Sequence, residues 1–74
     1  MYNVDLNLIK NTRLKKGYTI EQMSGILNLK SKSSYFKREN GAYAFKADEI
    51  PILSKTLNLS YEKIFESSLR KSKL

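Results

Sequence analysis

Residues 19–41 read TIEQMSGILNLKSKSSYFKRENG, and this stretch decides the fold. Thr19 and Gln22 make a T-x-x-Q capping box, which satisfies backbone N–H groups that a helix start leaves without partners. Ile20, Met23, Ile26 and Leu27 then recur at helical spacing and give that helix one apolar side. Ser31 is placed to cap a second helix carrying Lys32, Lys37 and Arg38, and Asn40-Gly41 stops it through a left-handed turn. Two short helices across a turn, the second one cationic, have the layout of a helix-turn-helix whose second helix enters the DNA major groove.

Upstream of this unit, a helix is predicted from about Asp5 to Lys16, with Leu6, Ile9 and the stem of Arg13 on one stripe and Gly17 ending it. Downstream, AYAF forms a connector whose Phe45 anchors in the core. A fourth helix runs from about Ala47 to Leu57 on the spacing of Ile50, Leu53 and Leu57, with Pro51 tolerated in its first turn. Ser60 caps a fifth helix carrying Ile64 and Phe65. The expected fold is all-α, a compact five-helix domain over 1–69, with a basic, disordered tail at 70–74. Its expected core holds Ile9, Met23, Ile26, Tyr35, Ile50, Leu53, Leu57, Ile64 and Phe65, with Ile20 either joining them or sitting at the rim.

Composition narrows the function. A chain of 74 residues is one small domain, close to the lower limit for a self-sufficient core. With no cysteine and no histidine, disulfide staples and the usual zinc sites are excluded, and packing must supply the stability. No apolar run approaches the ~20 residues of a membrane span, and MYNVDLNLIK lacks the apolar segment of a signal peptide, so a cytoplasmic protein is expected. Fourteen basic residues against seven acidic ones leave a net charge of +7. The charge is unevenly placed. From Lys10 to Lys46 there are nine Lys or Arg and two acids, Glu21 and Glu39. From Ala47 to Leu69 there are four acids and two lysines. The positive half is the half that contains the two-helix unit, as a footprint for phosphate requires.

In this order and spacing, the pieces resemble the Cro/CI-type helix-turn-helix domains of phage and plasmid repressors. The matching pieces are Ile9-Lys10 with Arg13, Lys16-Gly17-Tyr18-Thr19, Glu39-Asn40-Gly41, Leu53 to Leu59, and Glu62-Lys63-Ile64-Phe65. The resemblance covers about Leu6 to Phe65. It implies a lambda-repressor-like fold that binds operator DNA as a homodimer, and an ion pair between Arg13 and Glu39 that ties helix one to the end of helix three. It also exposes departures. Ile20 stands where relatives carry a phosphate-contacting Gln, Ser24 where they carry a small Ala, and the turn is one residue longer than the commonest form. Arg38 takes a position that is apolar in relatives, so its stem is expected to pack while the guanidinium reaches water.

On this register Tyr35 points inward, and Lys32, Ser33, Phe36 and Lys37 face outward. Lys32 and Lys37 can donate to guanine O6/N7 or to phosphate, and Ser33 can serve backbone or base. Ser34 suits a phosphate or the helix start. Phe36 either packs on a thymine methyl or covers the neighbouring helix. Tyr18, Tyr43 and Tyr61 by default lay a ring on the core and keep the hydroxyl wet. Tyr43 and Lys46 join the candidate interface because the loop after helix three runs beside the phosphates in relatives.

An enzyme is not expected. Asp48 and Glu49 are adjacent, so on a helix they diverge by ~100 degrees, and no Gly-rich phosphate cradle exists. No cofactor is implied. The reading carried forward is a DNA-binding transcriptional regulator, a repressor, that acts as a homodimer. The alternative on the same fold is a small modulator that binds a partner repressor protein.

Overall fold

The computed structural model describes residues 4–65. Five helices follow one another, α1 Leu6–Lys16, α2 Ile20–Ile26, α3 Lys32–Glu39, α4 Ile50–Leu57 and α5 Tyr61–Ile64, with no strand among the described residues. The expected boundary at 69 and the tail at 70–74 lie outside the described residues.

Each boundary has a local cause. Asp5 caps α1 by accepting from the Leu8 N–H at 3.2 Å, and Gly17 ends it at φ 81°, where a side chain would be strained. The capping box of α2 is complete: the Gln22 N–H donates to Thr19 Oγ1 at 3.0 Å, and the Thr19 N–H donates to Gln22 Oε1 at 2.8 Å. The turn into α3 is made by Asn28 at φ 59°, a left-handed residue without glycine, and asparagine tolerates that region better than most side chains. Ser31 then caps α3. The fourth helix starts later than the Ala47 that the sequence suggested, at Ile50. Pro51 has no N–H to offer the Ala47 carbonyl, so the regular ladder begins with Leu53 N–H to the Glu49 carbonyl at 3.0 Å.

Gly25 sits inside α2 with helical backbone and open space where a Cβ would go. Gly25→Ala should therefore raise stability by roughly 0.5–1 kcal/mol. Thermal denaturation checks this, and an unchanged or lowered midpoint would place an unseen neighbour over that site.

Ile9, Met23, Leu27, Tyr35, Leu53, Leu57 and Ile64 are buried, with Val4, Tyr18, Ile20, Leu29, Phe45, Ile50 and Leu59 packed around the main cluster. One expected core residue departs from this. Ile26 is 38 % exposed, because α2 ends there and the inward stripe passes to Leu27 at its C-terminal cap. Phe65, like Ile50, is half-buried. Phe45 does anchor inward, meeting Tyr35 edge-on with ring centroids 6.0 Å apart.

Two buried ion pairs tie the elements together. Arg13 donates from Nε to Glu39 Oε2 at 2.9 Å and from Nη2 to Oε1 at 3.0 Å. Its Nη1 reaches the Tyr18 carbonyl at 2.9 Å, so one side chain links α1, the turn before α2 and the end of α3. The Tyr35 hydroxyl donates to the same Glu39 carboxylate at 2.7 Å. The second pair corrects the reading of Arg38. Its guanidinium turns inward to a carboxylate instead of snorkelling out: the residue is 7 % exposed, and Nε donates to Glu49 Oε1 at 2.8 Å. Glu49 turns inward at the start of α4, where it also accepts from the Lys46 N–H at 3.0 Å.

Burial first, and the bond to Glu39 second, push the Tyr35 phenol well above its ordinary value. Above about pH 10 an unfolded chain gives up a phenolic proton that the native chain keeps. That part of the stability is whole below about pH 10 and is lost as pH rises past it. Alkaline denaturation followed by circular dichroism should show this decline, with a shallower slope for Tyr35→Phe.

Candidate nucleic-acid interface

The core side of α3 is taken by Tyr35, Arg38 and Glu39, all buried. That leaves two rows of side chains pointing away from the core, Lys32 with Phe36 and Ser33 with Lys37, each pair related by one helical turn. All four residues are exposed. Lys32, Ser33 and Phe36 share a shallow cleft with Ile20 at the start of α2. Lys37 places its Nζ 5.3 Å from the centroid of the Tyr43 ring, in the loop after α3. The Tyr43 N–H donates to the Lys37 carbonyl at 3.1 Å, so backbone and side chain both hold the loop against the helix end.

The serines have a local duty. Ser31 Oγ lies 3.0 Å from Ser33 Oγ and 3.3 Å from Ser34 Oγ, and it accepts from the Ser34 N–H at 3.4 Å. Ser34 is half-buried, and its carbonyl accepts from Arg38 Nη1 at 3.2 Å. It belongs to the helix start more than to the outer rows. Tyr43 is 54 % exposed, so its ring lies on the lysine rather than on the core as the default reading had it. Lys46 is not in the Lys32–Phe36 cleft. It lines a separate depression with Leu29, Asp48 and Ile52.

The ion pairs change the electrostatics of this half. Arg13 and Arg38 are neutralised internally, by Glu39 and Glu49. Between positions 10 and 46 the remaining exposed charges are Lys10, Lys15, Lys16, Lys30, Lys32, Lys37 and Lys46, against Glu21 alone. Among the described residues no salt bridge engages Lys32 or Lys37.

A family profile described as helix-turn-helix matches residues 9–64, from the buried Ile9 of α1 to the buried Ile64 of α5. The chain belongs to the helix-turn-helix family. Its Cro/CI-type character and all-helical fold follow, and so does its general role as a DNA-binding transcriptional regulator. The family is a regulatory and not an enzymatic one. Neither the curated proteins nor the solved structures contain a match to the chain. Among the described residues no helix is long and apolar enough to cross a membrane, and no His, Cys, Asp or Glu cluster could hold a metal ion.

Within this helix-turn-helix domain, the motif itself is α2, the Asn28 turn and α3, and α2 packs chiefly on α3. Two residues of the outer surface were not singled out by the sequence. Lys10 projects from α1 beside Ile20 and Phe36, which brings a third ammonium group near the front of α3. Asn28 sets the angle of the turn. Its signal was an asparagine alone in a four-residue apolar–polar alternation, too short to mark a left-handed residue.

Proposed function

We propose that the protein is a transcriptional repressor that binds operator DNA as a homodimer and lays α3 in the major groove. The observation that carries this reading is the exposed charge around the motif, seven lysines against one carboxylate once the two buried ion pairs are set aside. Such a surface attracts the phosphate backbone and releases its counterions on binding. Lys32, Ser33 and Lys37 stand on the outward rows of α3, where donors can meet base edges. Tyr43 and Lys46 lie after α3 and serve as phosphate contacts, while Ser34 orders the helix start with Ser31.

Dimerisation follows from the size of the reading head. A helix of eight residues reaches too few base pairs for tight recognition, so two copies must engage half-sites about 34 Å apart. Tyr61 on α5 is 54 % exposed and stands next to the half-buried Leu59, which supports a seam at that end. Fluorescence anisotropy with the DNA upstream of the protein's own reading frame and with random duplex, at two salt concentrations, tests the reading. Tighter and salt-sensitive binding to the upstream DNA, with two chains per duplex by sedimentation, is the expected result. Equal and weak binding to both duplexes would favour a modulator that acts on a partner repressor.

A further inference from the structure

Phe36 has no structural duty that its position explains. It is 52 % exposed on the outer face of α3, amid serines and lysines. With Ile20, Lys32 and Ser33 it lines a shallow cleft that is almost wholly apolar. Ile20 and Phe36 also wall the neighbouring depression that Lys10 borders. The two apolar side chains therefore form a ridge with an ammonium group on either side.

A phosphate is a poor occupant for this cleft, because the surface that Ile20 and Phe36 give it is apolar and the donors, Lys32 and Ser33, stand at its edge. The surroundings are cationic, so the occupant is an apolar group carried by an anionic polymer. In the major groove one base presents such a group, the 5-methyl of thymine. We infer that the Ile20–Phe36 cleft receives a thymine 5-methyl group, which makes Phe36 a specificity-determining residue. The inference rests on the DNA-binding reading above and adds which base the front of α3 selects.

Lys32 at the rim sharpens the choice. Its ammonium group donates and cannot accept. Thymine O4, next to the methyl, accepts, whereas the N4 amino group of cytosine donates. Cytosine thus loses twice, once for the missing methyl and once for the wrong hydrogen-bonding partner. Ile20 also gains a role, since its side chain lines the same cleft.

The test uses the full chain and a duplex enriched from a random library on it, resynthesised with deoxyuridine for one thymine at a time. Removing one buried methyl should weaken binding about fourfold at one thymine in each half-site, equivalent to ~0.8 kcal/mol. Phe36→Ala, checked for native helicity by circular dichroism, should bind the thymine and uracil duplexes alike. The inference is overturned if no single uracil weakens the wild-type complex, or if Phe36→Ala keeps the same loss. Salt-sensitive binding that ignores uracil sinks this inference alone. Absence of any salt-sensitive DNA binding sinks the DNA reading and this inference together.

Discussion

Glu39→Gln should lower the unfolding free energy by about 3–5 kcal/mol, because it leaves the Arg13 charge buried without a counter-charge. The Arg13 and Glu39 side chains are 8 % and 5 % exposed, so water cannot take over the lost contact. Three donors converge on the one carboxylate, Arg13 Nε, Arg13 Nη2 and the Tyr35 hydroxyl. An amide of the same shape accepts through one oxygen and turns its NH2 group toward donors. For a domain of this length the total stability is of order 4–11 kcal/mol, so one atom exchange removes a large share of it. The melting temperature should fall by at least ~12 °C. Arg13→Met with Glu39→Gln should cost less than the two single changes summed, since removing both partners removes the unpaired charge. Strict additivity in that cycle would mean that the two groups do not act as a pair.

The same network explains which parts of the fold the sequence revealed. Helix ends were legible where a side-chain cap or a glycine marks them, and the uncapped start of α4 was not. Asp5, Thr19, Ser31 and Ser60 cap within three residues, and Gly17 and Gly41 take positive φ where a helix must stop. Tyr35 was legible as a core residue because the Ser31 cap and the Glu39-Asn40-Gly41 stop bracket α3 and set its register. Arg38 was not. Its partner Glu49 lies 11 residues away across a loop, and helical periodicity carries no information at that range. A charge on the inward side of α3 breaks the apolar pattern, and the compensating carboxylate sits in another element. Ile26 failed for a different reason. In a seven-residue helix the stripe is too short to choose between two adjacent apolar residues, and the choice falls to Leu27 at the cap.

The outer surface was less legible than the core. The sequence placed Lys32, Ser33, Phe36 and Lys37 on one side of α3, since that follows from the register alone. It could not place them relative to α1 or to the loop. The nearness of Lys10 and Ile20 to Phe36 depends on how α1 and α2 cross α3. The Lys37–Tyr43 contact depends on the path of the chain after Gly41, whose φ of 94° turns the loop back along the helix end. Tertiary geometry of this kind has no periodic signature.

Replacing Lys32 and Lys37 together by alanine should leave stability nearly unchanged and strongly weaken DNA binding. Both side chains are exposed, and among the described residues neither forms a salt bridge, so the stability change should stay within about 0.5 kcal/mol plus the cation–π contact of Lys37. That contact, 5.3 Å from the Tyr43 ring, is worth ~0.5–1 kcal/mol at an exposed site. Each lysine that donates to a base edge contributes about 1–3 kcal/mol of discrimination. Losing both should therefore cost roughly 30-fold to 20,000-fold in affinity for the preferred duplex, with a far smaller loss on random DNA. Lysines that touch only phosphate give another pattern. The loss is then uniform across sequences, and the slope of log affinity against log salt falls by about 0.9 for each contact. Anisotropy titrations at several salt concentrations, on preferred and random duplexes, separate the two patterns. The single variants assign the contributions, because Tyr43 restrains Lys37 and, among the described residues, no comparable contact holds Lys32. Undiminished affinity of the double variant for every duplex would take α3 off the DNA, and the exposed face of the motif would then point to a partner protein.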